Sequence, residues 1–404
     1  MLNGLLSTDN IILSAFIVFL LGIIYIKRKN LVIQKILFPI FFISMLRTQL
    51  GIKAMNKLAN KFRKQLKFLS DFGILIGFLG MILIAVLLVY SIYSVFTDPK
   101  AAAGAGIVAP IKAKGVFYVP VIFFIICIFI IAVIHEFSHG VIARVYNLKV
   151  KSSGFAFLHI LVPIIPMAFV EPDEKELVKR PIREQLGVFA AGAVSNILLA
   201  FIVLGLTFGL TYLAAPHIEK YIHAEGVLVS NIVKSENIKY PAETAGMKKG
   251  EVIKEIDGFQ ITSTANFTKA LENKKPGDTV NVKTTNGTYT IALAENPDKK
   301  GKPYMGIYAA QYTYMDEKTP DITKNVYIPV ISWVFELFRW LFILNIGIGL
   351  FNLVPLGPID GGRMLKVVLD KKFRKETSAK LFKWISIFFL VIILANVTIG
   401  FIRG

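Results

Sequence analysis

Residues 121–140 read VIFFIICIFIIAVIHEFSHG, a stretch that joins an apolar run to a pattern typical of metal sites. No charged residue occurs from 116 to 134, and a helix needs about 20 mostly apolar residues to cross a bilayer. The run ends in His135-Glu136-Phe137-Ser138-His139, the pattern HExxH. Because positions i and i+4 share one face of a helix, both imidazoles can reach one ion, and Glu136 can contact water at that ion. The stretch predicts a zinc site at the end of a transmembrane helix.

The rest of the chain contains similar apolar runs. Apolar residues make up 54% and charged residues 18% of the 404 residues, which argues against both an ordinary soluble enzyme and a disordered chain. The other uncharged runs are 11–26, 72–97, 185–216, 340–359 and 384–402. We therefore predict a multi-pass α-helical membrane protein with about six transmembrane helices. Residues 36–46 are too short to cross, so we expect them to lie in the interface or to enter the bilayer and return.

The net charge of +19 is unevenly distributed. Residues 28–68 carry ten Lys or Arg and no acidic residue, whereas 217–325 carry 15 basic and 14 acidic residues. Because short basic loops remain in the cytoplasm, we place 27–69, 147–184 and 361–383 inside, and both termini and 98–115 outside. The excess charge indicates topology and contact with anionic lipid rather than nucleic acid, since no nucleic-acid-binding motif accompanies it.

A catalytic zinc needs a third protein ligand. By this topology, the carboxylate best placed to supply it is Asp360, at the end of the fifth run, in NLVPLGPIDGG at 352–362. Pro and Gly break a helix here, and broken helices are tolerated in a membrane where they line a cavity. We expect His159 to be a packed or interfacial histidine, and Glu336 to pair with Arg339.

These motifs resemble the site-2 protease family of intramembrane zinc metalloproteases. HEFSH at 135–139 is followed by Asn352-x-x-Pro355 and Asp360-Gly361-Gly362, which match the family's NxxPxxxxDGG in order and separation. Residues 192–196, GAVSN, resemble the family's GxxxN, with Ala193 where another form has Pro. The resemblance covers about residues 70–402.

The resemblance implies a role for each matching residue. It implies one catalytic Zn²⁺ with His135, His139 and Asp360 as ligands, and Glu136 as the general base. Asn352 would hold the substrate backbone and Asn196 would lie beside the site; the alternative for either is a hydrogen bond between helices. The apolar, Pro-interrupted stretch 153–173 is similar to the family's membrane-associated hairpin, which pairs with an extended substrate, and Phe169 and Val170 on it are predicted to contact that substrate. The alternative is an interfacial loop.

The segment 217–312 resembles a PDZ domain. Residues 245–258, AGMKKGEVIKEIDG, match a typical PDZ stretch with Glu251 in place of Asp, and Asn286-Gly287 is a strong hairpin signal. Gly226, Val227 and Leu228 would form the ligand loop and strand to which a C-terminal tail adds. The predicted fold class thus includes an inserted PDZ-like α+β domain outside the membrane.

The main hypothesis is an intramembrane zinc endopeptidase acting on transmembrane protein substrates in the lipid bilayer, with the PDZ domain filtering or recruiting pre-trimmed substrates. The predicted segments are 1–69 (first helix and basic segment), 70–216 (spans two to four), 217–312 (PDZ-like) and 313–404 (spans five and six). A proteolytically inactive scaffold that binds tails, and a metal transporter, are the alternatives. The sequence makes no prediction of oligomeric state.

Overall fold

The computed structural model describes residues 8–37, 41–98, 104–160, 162–234, 238–297 and 299–403. The chain divides into two compact units. Unit 1 comprises residues up to 208 together with those from 333 onward, and unit 2 comprises 209–332. The predicted segment boundaries differ from these limits and remain predictions.

The helices, in chain order, are α1 (Thr8–Lys27), α2 (Ile52–Lys61), α3 (Arg63–Thr97), α4 (Val121–Val145), α5 (Glu174–Leu177), α6 (Ile182–Glu219), α7 (Pro241–Thr244), α8 (Thr264–Glu272), α9 (Ile328–Asn352), α10 (Asp360–Lys372) and α11 (Lys375–Arg403). A 3₁₀ turn follows α1 at Arg28–Asn30, and a π-helical turn precedes α9 at Thr323–Tyr327.

The strands are β1 (Leu31–Leu37), β2 (Phe41–Thr48), β3 (Ile107–Ala109), β4 (Val116–Tyr118), β5 (Val150–Ile160), β6 (Val162–Pro172), β7 (Ile222–Ile232), β8 (Val252–Ile256), β9 (Phe259–Gln260), β10 (Thr279–Thr284), β11 (Thr288–Ala292), β12 (Ala294–Asn296), β13 (Lys299–Tyr304) and β14 (Ile307–Met315). The hairpin predicted at Asn286-Gly287 is confirmed, since β10 and β11 pair antiparallel on either side of it.

Six helices in the described part of the chain are long and apolar enough to cross a membrane: α1, α3, α4, α6, α9 and α11. At 1.5 Å per residue, the 25 residues of α4 exceed the ~30 Å hydrocarbon core, and the 20 residues of α1 match it. Large apolar side chains lie exposed on their outer faces, including Phe96 and Phe208. The predicted multi-pass helical membrane fold is therefore confirmed.

Two of the apolar clusters in unit 1 join the helices that carry the candidate site. In one cluster, Cys127 and Ile131 of α4 are buried together with Leu344 of α9. In the other, Val194 of α6 packs with Leu353 and with Met364 of α10. The two clusters fix α4, α6, α9 and α10 relative to one another, and these four helices carry the polar residues that the sequence singled out.

A four-stranded antiparallel sheet, in the order β1-β2-β5-β6, completes unit 1. The segment 36–46 expected to lie in the interface falls in its first hairpin, with 38–40 outside the described residues. Residues 153–160 and 162–172 likewise form strands rather than a loop, because β5 and β6 pair along most of their length. His159 is buried, as expected, and lies 2.8 Å from the Ser44 hydroxyl on β2.

Along β6, Val170 directs its N–H away from β5, to a side chain of α4. Because N–H groups alternate sides along a strand, Ala168 also presents its N–H on that outer edge. Pro166 and Pro172 occupy the same set of alternating positions and have no N–H to offer. The outer edge of β6 therefore carries a short pairing segment with a proline at each end.

Unit 2 is the inserted PDZ-like α+β domain. Its main sheet has the order β11-β10-β8-β7-β14, with β9 pairing to β8, and Ser263 caps the start of α8. Glu251, which replaces the usual Asp, is buried, and its carboxylate accepts hydrogen bonds from Thr284, Tyr289 and the Lys248 N–H. The longer side chain is therefore fully satisfied.

Candidate metal centre and active site

Three predicted ligands meet at one point in unit 1. His135 and His139 lie one turn apart on α4, and Asp360 is the first residue of α10. The Asp360 Oδ2 atom lies 3.1 Å from Nε2 of His135 and 3.3 Å from Nε2 of His139. The two Nε2 atoms are 3.2 Å apart. Residues separated by more than 200 positions are thus brought together.

These separations fit a metal ion. Donor atoms bound at 2.0–2.1 Å to a tetrahedral ion lie about 3.3 Å from one another. Within the described ranges of the chain, the buried Asp360 Oδ2 has no hydrogen-bond partner, and an unpaired buried carboxylate oxygen is costly without a cation. Among the described residues, this is the group of His, Cys, Asp and Glu side chains placed to hold an ion. Two imidazoles and one carboxylate are a donor set typical of catalytic zinc.

Hydrogen bonds behind the histidines orient both rings. The His139 Nδ1 atom lies 2.7 Å from the Val188 carbonyl oxygen, so Nδ1 carries the proton and donates it. The His135 Nδ1 atom lies 3.1 Å from the side-chain amide of Asn196, which is completely buried on α6. In the part of the chain that the structure describes, the Asn196 Oδ1 atom has no partner, and with the amide turned it would accept the His135 Nδ1 proton. Both rings would then present an unprotonated Nε2 atom to a metal ion.

Glycines make this close approach possible. A Cβ atom on Gly192 would lie 2.3 Å from the His139 Nε2 atom and 2.5 Å from that of His135. A Cβ atom on Gly361 would lie 2.2 Å from the Leu353 carbonyl oxygen, and one on Gly362 would lie 2.3 Å from that of Leu356. The Gly-Gly pair therefore lets the start of α10 pack directly on the turn after α9, which positions Asp360.

Glu136 lies beside this cluster but outside the ligand set. Its Oε2 atom accepts a hydrogen bond of 2.9 Å from the Val170 N–H on β6. Glu136 and the three ligands line one cavity of about 340 Å³, together with Phe169, Val170 and Asn352. The Asn352 Nδ2 atom donates to the Ile348 carbonyl oxygen one turn back in α9. A carboxylate, a metal site and a strand edge thus converge on one cavity.

Two features of this site had no role in the sequence prediction. Gly192 was noted only as a match to the GxxxN motif, and no structural role was predicted for it. Arg363, one turn after Asp360, also lines the cavity and pairs with Glu174 at 3.0 Å. Its spacing of three residues from Asp360, on the same face of α10, could have indicated that it lies at the site.

His217 and His223 lie in unit 2, outside this cluster. Glu336 pairs with Arg339 at 2.6 Å, as expected.

The predicted PDZ ligand residues lie inside the sheet of unit 2. Val227 pairs with Gln311 of β14 on one side and with Ile253 of β8 on the other. Leu228 is paired on both sides in the same way. Gly226 is also in register with β14, and the Gln311 side chain donates to its carbonyl oxygen. The edge to which a peptide tail was expected to add is occupied by β14.

The fold and site define a membrane protein of several spans with a His-His-Asp cluster that could hold a metal ion and an adjacent glutamate. The sequence model of peptidase family M50 matches residues 123–395, which is more than half of the chain. The chain therefore belongs to peptidase family M50, the site-2 protease family that HEFSH and NxxPxxxxDGG indicated.

Individual relatives are similar at lower identity. The uncharacterized protein MJ0971 of Methanocaldococcus jannaschii is 26% identical over 325 residues, covering 78% of this chain and 74% of the relative. The regulator of sigma-W protease RasP of Bacillus subtilis is 24% identical over 272 residues, covering 57% of this chain and 61% of RasP. The chain thus spans about three fifths of RasP.

A solved PDZ domain of the SdrC-like protein Lin2157 from Listeria innocua is 34% identical. The match covers 22% of this chain and 96% of that domain, with a TM-score of 0.19.

Proposed function

We propose that this protein is a zinc metalloendopeptidase that hydrolyses a peptide bond within or near the transmembrane helix of other membrane proteins. The observation that carries this proposal is the single cavity where His135, His139 and Asp360 converge beside Glu136. A zinc ion at these donors would supply a Lewis acid that lowers the pKa of a bound water to about 7 and polarises the substrate carbonyl.

Glu136 acts as the general base and then as the general acid. It accepts a proton from the attacking water as the new C–O bond forms at the peptide carbonyl. It then gives that proton to the amide nitrogen as the C–N bond breaks, so that the products are a carboxylic acid and an amine. The Val170 N–H holds the Glu136 carboxylate by one oxygen and so orients it in the cavity.

The outer edge of β6 offers backbone groups to an extended substrate. Strand addition pairs main-chain groups without demanding particular side chains. The N–H of Val170 is engaged by Glu136, so the N–H of Ala168 and the carbonyl groups of this segment remain for the substrate. Asn352 lines the same cavity, and the part of its side-chain amide that is not bonded to the Ile348 carbonyl would contact the same backbone. A helix must unwind before its peptide bonds can be cleaved, and this edge would hold the unwound segment.

The site lies well within a spanning helix, which supports cleavage at membrane depth. His135 is 14 residues into α4, or about 21 Å along its axis. The basic loops favour the cytoplasmic side for this end of α4, with both termini and unit 2 on the opposite side.

We further propose that unit 2 limits which substrates reach the site, rather than capturing tails on β7. The support is that Val227 and Leu228 already have strand partners on both sides. This arrangement also disfavours the alternative of an inactive scaffold that binds tails along β7. Fluorescence polarisation with the full chain and labelled C-terminal peptides tests this step. The peptides should not bind to the wild type. If they bind to the wild type and this binding is lost in a Val227→Pro variant, the proposal is contradicted.

The activity is tested with purified full-length protein and a single-span membrane protein in the same vesicles. Cleavage should stop when a chelator removes zinc and return when zinc is added back. An Asp360→Asn variant should contain much less zinc, and adding zinc should not restore its cleavage activity. Unchanged cleavage after zinc has been removed would contradict the proposal.

A further inference from the structure

A large groove in unit 1 borders the active site but is separate from its chemistry. Its volume is about 1420 Å³, and it lies between the start of α6, α10 and the first turns of α11. It shares Phe189, Pro358 and Arg363 with the metal-site cavity. Arg363 stands at this junction, paired with Glu174 and with its guanidinium over the Phe189 ring.

The rim of the groove is strongly basic. Six Lys or Arg residues and one acidic residue, Asp370, line it. Arg180, Lys366 and Arg363 each have a carboxylate partner, in Glu176, Asp370 and Glu174. The remaining cations are Lys179, Lys371 and Lys383, all exposed, and none has an ion-pair partner among the described residues. Three uncompensated positive charges therefore surround one opening.

The floor of the groove is apolar and lies where spanning helices leave the membrane. Ile182 and Phe189 of α6 and Ile387 of α11 line it. Lys383 is followed by the uncharged run that starts at Trp384, an exposed aromatic of the kind enriched at membrane interfaces. The candidate spans of α6 and α11 therefore predict that the cations lie at the level of lipid headgroups and the apolar lining at the level of the first acyl carbons.

We propose that this groove binds an anionic phospholipid from the surrounding bilayer, with its phosphate at Lys179, Lys371 and Lys383 and an acyl chain along Ile182 and Ile387. Basic pockets between spanning helices bind anionic headgroups in this way. The apolar floor favours a lipid over an acidic peptide segment, because a charged peptide gains nothing from Ile182, Phe189 and Ile387. The binding does not depend on proteolytic activity.

Native mass spectrometry of the full-length protein tests the proposal. The probes are phosphatidylglycerol and phosphatidylcholine with identical acyl chains, glycerol phosphate as the headgroup without chains, and an acidic peptide. The test variant combines K179Q, K371Q and K383Q. The matched control combines K53Q, K57Q and K64Q, which removes the same charge from exposed positions of α2 and α3 outside the groove.

Wild type and the control variant should prefer phosphatidylglycerol over phosphatidylcholine by roughly tenfold or more, and the groove variant should lose that preference. Equal losses in both variants would mean general surface charge and would overturn the proposal. So would glycerol phosphate binding as tightly as the full lipid, or the acidic peptide displacing bound phosphatidylglycerol at lower concentration.

Discussion

Gly192 of α6 lies so close to His139 of α4 that a Cβ atom at position 192 would stand 2.3 Å from the His139 Nε2 atom. That nitrogen is the one directed at Asp360. The candidate metal centre therefore depends on a residue that has no side chain and that binds nothing itself. The same helix supplies the Val188 carbonyl and the Asn196 amide, so α6 orients both histidines.

The first prediction concerns Gly192. Gly192→Ala should lower zinc affinity by roughly tenfold or more, because the added methyl displaces both ligand rings. The measurement is zinc content after dialysis against a graded chelator. Gly205→Ala is the matched control in the same helix, since a Cβ there meets nothing within 4 Å. Equal zinc retention in the two variants would show that α6 does not constrain the ligands.

The second prediction concerns the buried amide behind His135. Asn196→Ala should weaken zinc binding by about 10- to 100-fold, since the ring loses the partner that fixes its tautomer. Asn345→Ala removes an equally buried amide that bonds within α9, and should leave zinc affinity unchanged. If zinc affinity falls equally in the Asn196→Ala and Asn345→Ala variants, the loss comes from disturbed helix packing and not from the hydrogen bond to His135.

The motifs predicted the candidate ligands of this site, but they did not predict how the helices around the ligands pack. HExxH fixes two ligands by helix periodicity, and a carboxylate beside broken helix at Asp360 is an unusual feature in an apolar run. The close approach at Gly192 and the position of Arg363 depend on how α4, α6 and α10 pack, and no local pattern encodes that distance. The occupied edge of β7 was missed for a similar reason, because its partner β14 lies about 80 residues away.

The third prediction separates orientation of the base from binding of the substrate. Val170→Pro removes the N–H that Glu136 accepts, so kcat should fall, by about tenfold for one hydrogen bond, with little change in KM. Ala168→Pro should raise KM instead, because its N–H lies on the outer edge that we propose pairs with the substrate. Both changes lie on the outer edge, so the sheet should remain intact.

Phe169→Pro is the control for this pair. Its N–H points toward β5, where it lies opposite Gly154, so proline there should disrupt the sheet and lower the yield of folded protein. Steady-state kinetics on a single-span substrate give kcat and KM. Identical changes in both parameters for V170P and A168P would contradict the distinct roles.

The fourth prediction concerns pH and unit 2. Hydrogen bonds from the Asn281 N–H and the Lys274 ammonium hold the pKa of the Asp257 carboxyl below its usual range. Because the folded-state pKa is depressed, the stabilisation is present above about pH 4 and is lost as the pH falls through the folded-state value. Asp257→Asn should therefore destabilise unit 2 by about 1 kcal/mol or less near pH 7, with the difference shrinking in acid.

Hydrogen–deuterium exchange of β8 and β10 amides, corrected for the intrinsic rate at each pH, measures this effect in the full chain. Asparagine tolerates the positive φ of 47° at this position, so backbone strain does not confound the comparison. Asp321→Asn removes an exposed charge elsewhere in unit 2 as the control. A difference at position 257 that is the same at every pH would contradict the ion-pair account.

The fifth prediction addresses the central claim, that Glu136 performs the proton transfers while His135, His139 and Asp360 hold the zinc. Glu136→Gln keeps the shape of the side chain and an oxygen that can accept from the Val170 N–H, but it removes the base. Zinc content and cleavage of a single-span substrate are measured on the same purified preparation. The account predicts wild-type zinc content with cleavage reduced by 10²-fold or more. Cleavage at the wild-type rate, with zinc still bound, would contradict it.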